Sequence, residues 1–61
     1  AIDIVWIGPD MKVIGIKEGA TPESYPESFF PPGEVKYVLE APAGFAHRHS
    51  IEVGQILFIG Q

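Results

Sequence analysis

Cysteine is absent from this chain of 61 residues. No disulfide can cross-link it, and no thiolate metal site can add binding free energy to folding. A chain so short buries a smaller share of its surface than a larger domain does and is marginal alone. Either its core is unusually well packed or it leans on another chain. Basic residues are scarce too: four Lys and Arg stand against eight Asp and Glu, for a formal net charge of −4. Neutralising phosphates takes clustered Lys and Arg, which argues against a nucleic-acid partner. An acidic surface is also repelled by anionic lipid. No apolar run is long enough to cross a bilayer as a helix, so membrane insertion is not expected. The opening AIDIVWIGPD carries an acid and no basic start region, so it is not a signal peptide, although a mature chain stripped of its leader would look the same. Without thiols the redox compartment leaves no trace.

What is present is mostly strand. IDIVWI, residues 2–7, is a β-branched and aromatic run closed by Gly8-Pro9-Asp10, the mark of a buried strand. Ile2, Ile4 and Trp6 fall on one face and Asp3, Val5 and Ile7 on the other. Both faces are mainly apolar, so the strand is central or covered on both sides. GPDM turns the chain, with Pro9 presetting the turn dihedral. MKVIGIKE, residues 11–18, returns as the second strand of a hairpin, with Ile14 and Ile16 sharing a face and Val13 and Gly15 opposed to them. Gly15 within the strand predicts a bulge or a close backbone approach. VKYVLE, residues 35–40, is a third strand, and the turn IEVGQ leads into a fourth, QILFI, at residues 55–59. Between strands three and four, APAGFAHRHS predicts a short helix over residues 43–50 that places Phe45 and His49 on one face. The fold class is all-β or β-dominated: one domain, residues 1–61, built as a small antiparallel barrel-like or sandwich sheet with one short helix and a long Pro-rich loop.

That loop, TPESYPESFFPPGE, holds Pro22, Pro26, Pro31 and Pro32 together with three aromatic rings. Proline lowers the entropy of the unfolded chain and so eases the ordering of an irregular connection. Tyr25, Phe29 and Phe30 each have a large area to bury. The favoured reading is that the loop folds over a face of the sheet. The alternative is a binding rim for a sugar or peptide.

Catalytic signatures are weak. The serines at 24, 28 and 50 lack a nucleophile-elbow setting, and the glycines are scattered rather than clustered around a phosphate. His47 and His49 are two apart, which on a helix turns their rings to different sides, and a third ligand is missing nearby; no metal and no cofactor is expected. Asp3 is the odd residue, an acid inside an apolar strand. It either faces solvent at an edge or holds a buried backbone donor.

The ordered series IDIVWI, KVIGIKEGA, TPESYPESFFPPGEVKYVLEAPAGF and IEVGQILF resembles the later part of a bacterial and archaeal family, domain of unknown function one hundred and ninety-two. YVLE followed by APAG is its most specific piece. The resemblance implies a β-rich domain, often exported or extracytoplasmic, without an established activity. Members usually begin with a further segment before the strand equivalent to IDIVWI, and many carry cysteines in the loop where Ser24 and Ser28 stand here. If the family pairs IDIVWI with an earlier strand, that edge is empty in this chain, and an exposed apolar edge is a template for a second chain. The functional expectation is a non-catalytic binding or accessory module that forms a homo-oligomer or pairs with the missing N-terminal segment. Its ligand-binding candidates are Asp3, Trp6, Tyr25, Phe29, Tyr37 and Glu40. The rival is an enzyme domain whose site lies at the junction with the missing segment, lined by Asp3, Trp6, Tyr37 and Glu40.

Overall fold

The run IDIVWI forms β1 (Ile2–Ile7), as its composition predicts. It is the middle of three strands in a computed structural model that describes residues 1–21 and 33–58. β2 (Val13–Ala20) and β3 (Tyr37–Pro42) flank it, both antiparallel, in the order β2-β1-β3. The architecture is therefore β-dominated, one open antiparallel sheet with one short helix, α1 (Phe45–Arg48). β1 has no unpaired edge. The expectation of an empty edge on this strand is corrected, because β3 occupies it along six consecutive register pairs from Ile2↔Pro42 to Ile7↔Tyr37.

The β1–β2 hairpin closes through Gly8-Pro9-Asp10-Met11. Met11 N–H donates to the Gly8 carbonyl at 3.0 Å and Gly8 N–H to the Lys12 carbonyl at 2.9 Å. The Asp10 carboxylate accepts the Lys12 N–H at 3.2 Å. Met11 takes the left-handed position of this loop at φ 67°, a place where glycine is usual.

Two register shifts interrupt β2 against β1. Gly15 pairs with Trp6 while Val13 pairs with Ile7, so Ile14 is an extra residue beside the glycine that predicted a bulge. One inserted residue inverts the alternation that follows. Ile14 and Ile16, expected on one face, are thereby split. Ile14 packs with Ile4, Trp6 and Ala20, whereas Ile16 joins Val5, Ile7 and Val13 on the opposite face. At the second shift Ile2 pairs with Ala20 and Ile4 with Lys17, so Glu18 and Gly19 together oppose Asp3.

β3 starts at Tyr37 rather than at 35, since Val35 packs into the Ile4–Trp6 cluster outside the ladder. It runs on to Pro42, where a missing N–H is harmless. Ala43 N–H bonds the Ala1 carbonyl at 3.2 Å, so the antiparallel alternation turns the backbone of Pro42 away from β1. The expected helix over 43–50 shortens to Phe45–Arg48 because both flanks are left-handed, Gly44 at φ 93° and Ser50 at φ 54°. Ser50 N–H bonds the His47 carbonyl (3.2 Å) and Ile51 N–H the Ala46 carbonyl (2.9 Å), the pair of bonds that defines a Schellman stop.

Of the fourth strand expected over 55–59, the described residues 55–58 form one bridge, Lys12↔Ile56, just ahead of β2, and Ile59 lies outside the described residues. Val13 N–H donates to the Gln55 carbonyl and Leu57 N–H to the Met11 carbonyl. Ile51 and Leu57 thereby pack on the Val5–Ile7–Val13 face. Tyr25 and Phe29, and with them the reading of the Pro-rich loop as a cover for the sheet, lie outside the described residues.

Candidate functional site

Asp3 lies between two apolar neighbours on β1 and is 0 % exposed, the sole fully buried polar or charged residue among those described. Three backbone donors converge on it. Gly19 N–H reaches Oδ1 at 3.0 Å; Gly44 and Ala46 N–H reach Oδ2 at 3.1 and 3.0 Å. Each donor is orphaned for a local reason. The bulge takes Gly19 off the β1–β2 ladder, and Gly44 and Ala46 open a helix whose first amides have no intrahelical acceptor. The acid in the apolar strand thus satisfies a buried backbone donor set, one of the two alternatives its sequence setting leaves open.

The amides of Ala46 and Gly19 hold the Asp3 carboxyl below its ordinary range. Burial opposes them, and the Gly44 amide and the Arg48 guanidinium add to the lowering. Arg48 lies along the start of its own helix: a β-carbon placed on Gly44 would meet its Nη1 at 2.9 Å. A buried carboxylate with a shifted pKa is a functional-site candidate in general. Here the direction of the shift makes Asp3 a poor base, and both oxygens already accept hydrogen bonds.

The other sequence candidates scatter. Trp6 is packed in the cluster of Ile4 and Ala20. Tyr37 pairs with Ile7 and Glu40 with Ile4, so Tyr37 shares the face of Asp3 at the far end of the strand, while Glu40 shares the face of Trp6, one diagonal step away. Tyr37 is exposed, and the Lys36 ammonium sits 5.7 Å from its ring centre. Phe45 and His49 meet as expected, their ring centres 4.4 Å apart. Among the described residues no group of three or more His, Asp or Glu side chains is placed to hold a metal ion.

The surface feature that sequence reasoning missed is an apolar strip near the C-terminal end. Val53 tops a turn in which Gln55 N–H bonds the Glu52 carbonyl at 3.2 Å and Gly54 adopts φ 95°. Beyond it Leu57 turns inward, and Ile56 and Phe58 on either side of it are 53 % and 88 % exposed. The alternation I-L-F in QILFI was the available signal, but it does not say which set faces water.

A model of the DUF192 family, described as Uncharacterized ACR, matches residues 1–59. No curated protein and no solved structure matches the chain.

Proposed function

This chain belongs to the DUF192 family, uncharacterised by its own description, and we propose that it is a non-catalytic binding or accessory module that associates with a second copy through its C-terminal apolar strip. The observation that carries this reading is the exposure of Val53, Ile56 and Phe58 within six residues of one another. Single exposed apolar side chains are ordinary on a protein surface. We read three so close in sequence, on a chain this small, as one patch, and an exposed apolar patch marks an interaction surface. No charged side chain interrupts the segment between Val53 and Phe58, on a protein of formal net charge −4. Two acidic copies meet with least repulsion through an uncharged strip. Tyr37 and Val38, exposed on β3, extend the apolar surface elsewhere on the sheet.

The enzyme reading draws less support. Its proposed lining residues divide between the faces of the sheet, with Trp6 and Glu40 on one and Asp3 and Tyr37 on the other.

Light scattering coupled to size exclusion tests the proposal on the whole chain over a wide concentration range. The expected result is a concentration-dependent shift to twice the monomer mass, abolished in a variant carrying Ile56→Ser and Phe58→Ser that keeps its circular-dichroism spectrum. A strictly monomeric species at the highest concentration overturns it, and so does a dimer that the two serines leave intact.

A further inference from the structure

Residues 43–57 cross the sheet face that carries Val5, Ile7 and Val13, and they are fastened to it near their two ends. At the first end Ala43 N–H bonds the Ala1 carbonyl, and Gly44 and Ala46 bond the Asp3 carboxylate. At the second, Gly54 N–H donates to the Val13 carbonyl at 2.8 Å, Val13 N–H to the Gln55 carbonyl at 2.8 Å and Leu57 N–H to the Met11 carbonyl at 2.9 Å. Between them the backbone bonds are local: Arg48 to Gly44, His49 to Phe45, Ser50 to His47 and Ile51 to Ala46. Burial is as uneven as the fastening. In this segment only Ala46 is fully buried, with Phe45, Ile51 and Leu57 half-buried, whereas β1 is buried without a break from Asp3 to Ile7. Segments with few buried apolar side chains and mostly local bonds open at lower free energy than the core they cover.

We propose that residues 43–57 form a strap that opens from the sheet as a unit while β1 and β2 stay paired, and that the Asp3 carboxylate is its latch. One oxygen of Asp3 holds two strap amides and the other holds Gly19 of β2, so a single side chain ties the strap to two strands at once. Bonds to a carboxylate are charge-assisted and stronger than those between neutral groups. When the strap lifts, water replaces its amides at the carboxylate, so no charge is left buried and unpaired. The population of the open form is therefore set by those hydrogen bonds and by the seating of Ile51 and Leu57. The open form uncovers Val5, Ile7 and Val13, so the latch controls access to an apolar face of the sheet.

Native-state hydrogen exchange followed by NMR on the whole chain tests this. In the wild type, the amides of Arg48, His49 and Ile51 exchange together, about tenfold or more faster than those of β1. Asp3→Asn replaces one acceptor oxygen by a donor amide and raises strap exchange by about another tenfold, with β1 still protected. Leu57→Ala loosens the far end and raises strap exchange in the same way, which keeps the test open should Asp3→Asn fail to fold. A common exchange rate for strap and β1 in the wild type overturns the proposal. Strap exchange indifferent to Asp3→Asn, in a folded variant, removes the latch.

Discussion

Ser50→Gly should stabilise this protein. Ser50 is the left-handed residue of the Schellman stop, at φ 54°, and its N–H and that of Ile51 close the end of α1. An L-residue with a β-carbon sits there at a cost of about 1–2 kcal/mol, because that carbon crowds the following carbonyl. Glycine removes the crowding but adds freedom to the unfolded chain, which takes back roughly 0.4–1 kcal/mol. The difference is a gain of about 0.5–1 kcal/mol. For a domain of about 60 residues each kcal/mol moves the thermal midpoint by roughly 4–8 °C, so the midpoint should rise by about 2–8 °C. Thermal unfolding followed by far-ultraviolet circular dichroism reads this directly, with urea unfolding at constant slope as the second measure. Ser50→Val is the converse experiment. A β-branched residue at positive φ is a steric outlier, and its midpoint should fall. A glycine variant less stable than the wild type, or a valine variant as stable, would refute the reasoning, since it would mean that the left-handed turn stores no strain.

The same arithmetic applies at Met11, left-handed at φ 67° in the hairpin; Met11→Gly should raise the urea midpoint by an amount equivalent to about 0.5–1 kcal/mol, and a lower midpoint would show that the methionine side chain contributes packing that outweighs its backbone strain. Gly44→Ala should act in the opposite direction and lower the thermal midpoint, because position 44 has φ 93° and a β-carbon there would displace Arg48 Nη1 from 2.9 Å; the backbone strain less the unfolded-state entropy leaves a loss of about 0.5–1 kcal/mol, and an unchanged midpoint would count against the geometry. Acid titration should single out Asp3. Its folded pKa lies below the ordinary 3.8, so the unfolded state binds its proton first as pH falls; the stabilisation is complete above 3.8 and is lost as pH drops through the lower folded value. Midpoints measured at a series of pH values should therefore fall more steeply in this acid range for the wild type than for Asp3→Asn, and parallel curves would remove Asp3 from the account.

What could be read from the residues, and what could not, divides along a physical line. β1 is legible to its observed ends because five strand formers, with Asp3 among them, are closed by Gly8-Pro9-Asp10, a purely local signal. The hairpin and the bulge beside Gly15 were local signals as well. The consequence of that bulge was not. Ile14 and Ile16 read as one face, and only a register fixed by β1 shows that the inserted residue sends them to opposite sides. The last strand failed for a related reason. Ile56, Leu57 and Phe58 have the composition of a core strand, yet among the described residues they meet the chain only near Met11 to Val13, which gives one bridge and an inward Leu57 between two exposed neighbours. At the candidate site, Asp3 announced itself as an acid among apolar residues, but its donors lie 16, 41 and 43 positions away. Separations of that size are set by tertiary structure, not by pattern.

The identity of residue 3 follows from that arrangement. Two of the converging N–H groups aim at one point and the third at another, so the site requires an acceptor with two oxygens and no hydrogen of its own. Asparagine offers one oxygen and turns two N–H bonds toward a donor; serine offers one oxygen and reaches less far. Glutamate has the right group on a stem one methylene longer, which in a site without solvent exposure has no room to fold away. Aspartate alone among the ordinary side chains meets both demands. The bulge at Gly19 and the left-handed entry at Gly44 are in turn tolerable only because a carboxylate is there to receive the amides they release. Acid, bulge and helix start therefore form one structural unit, and a change at any one of them should be felt by the other two.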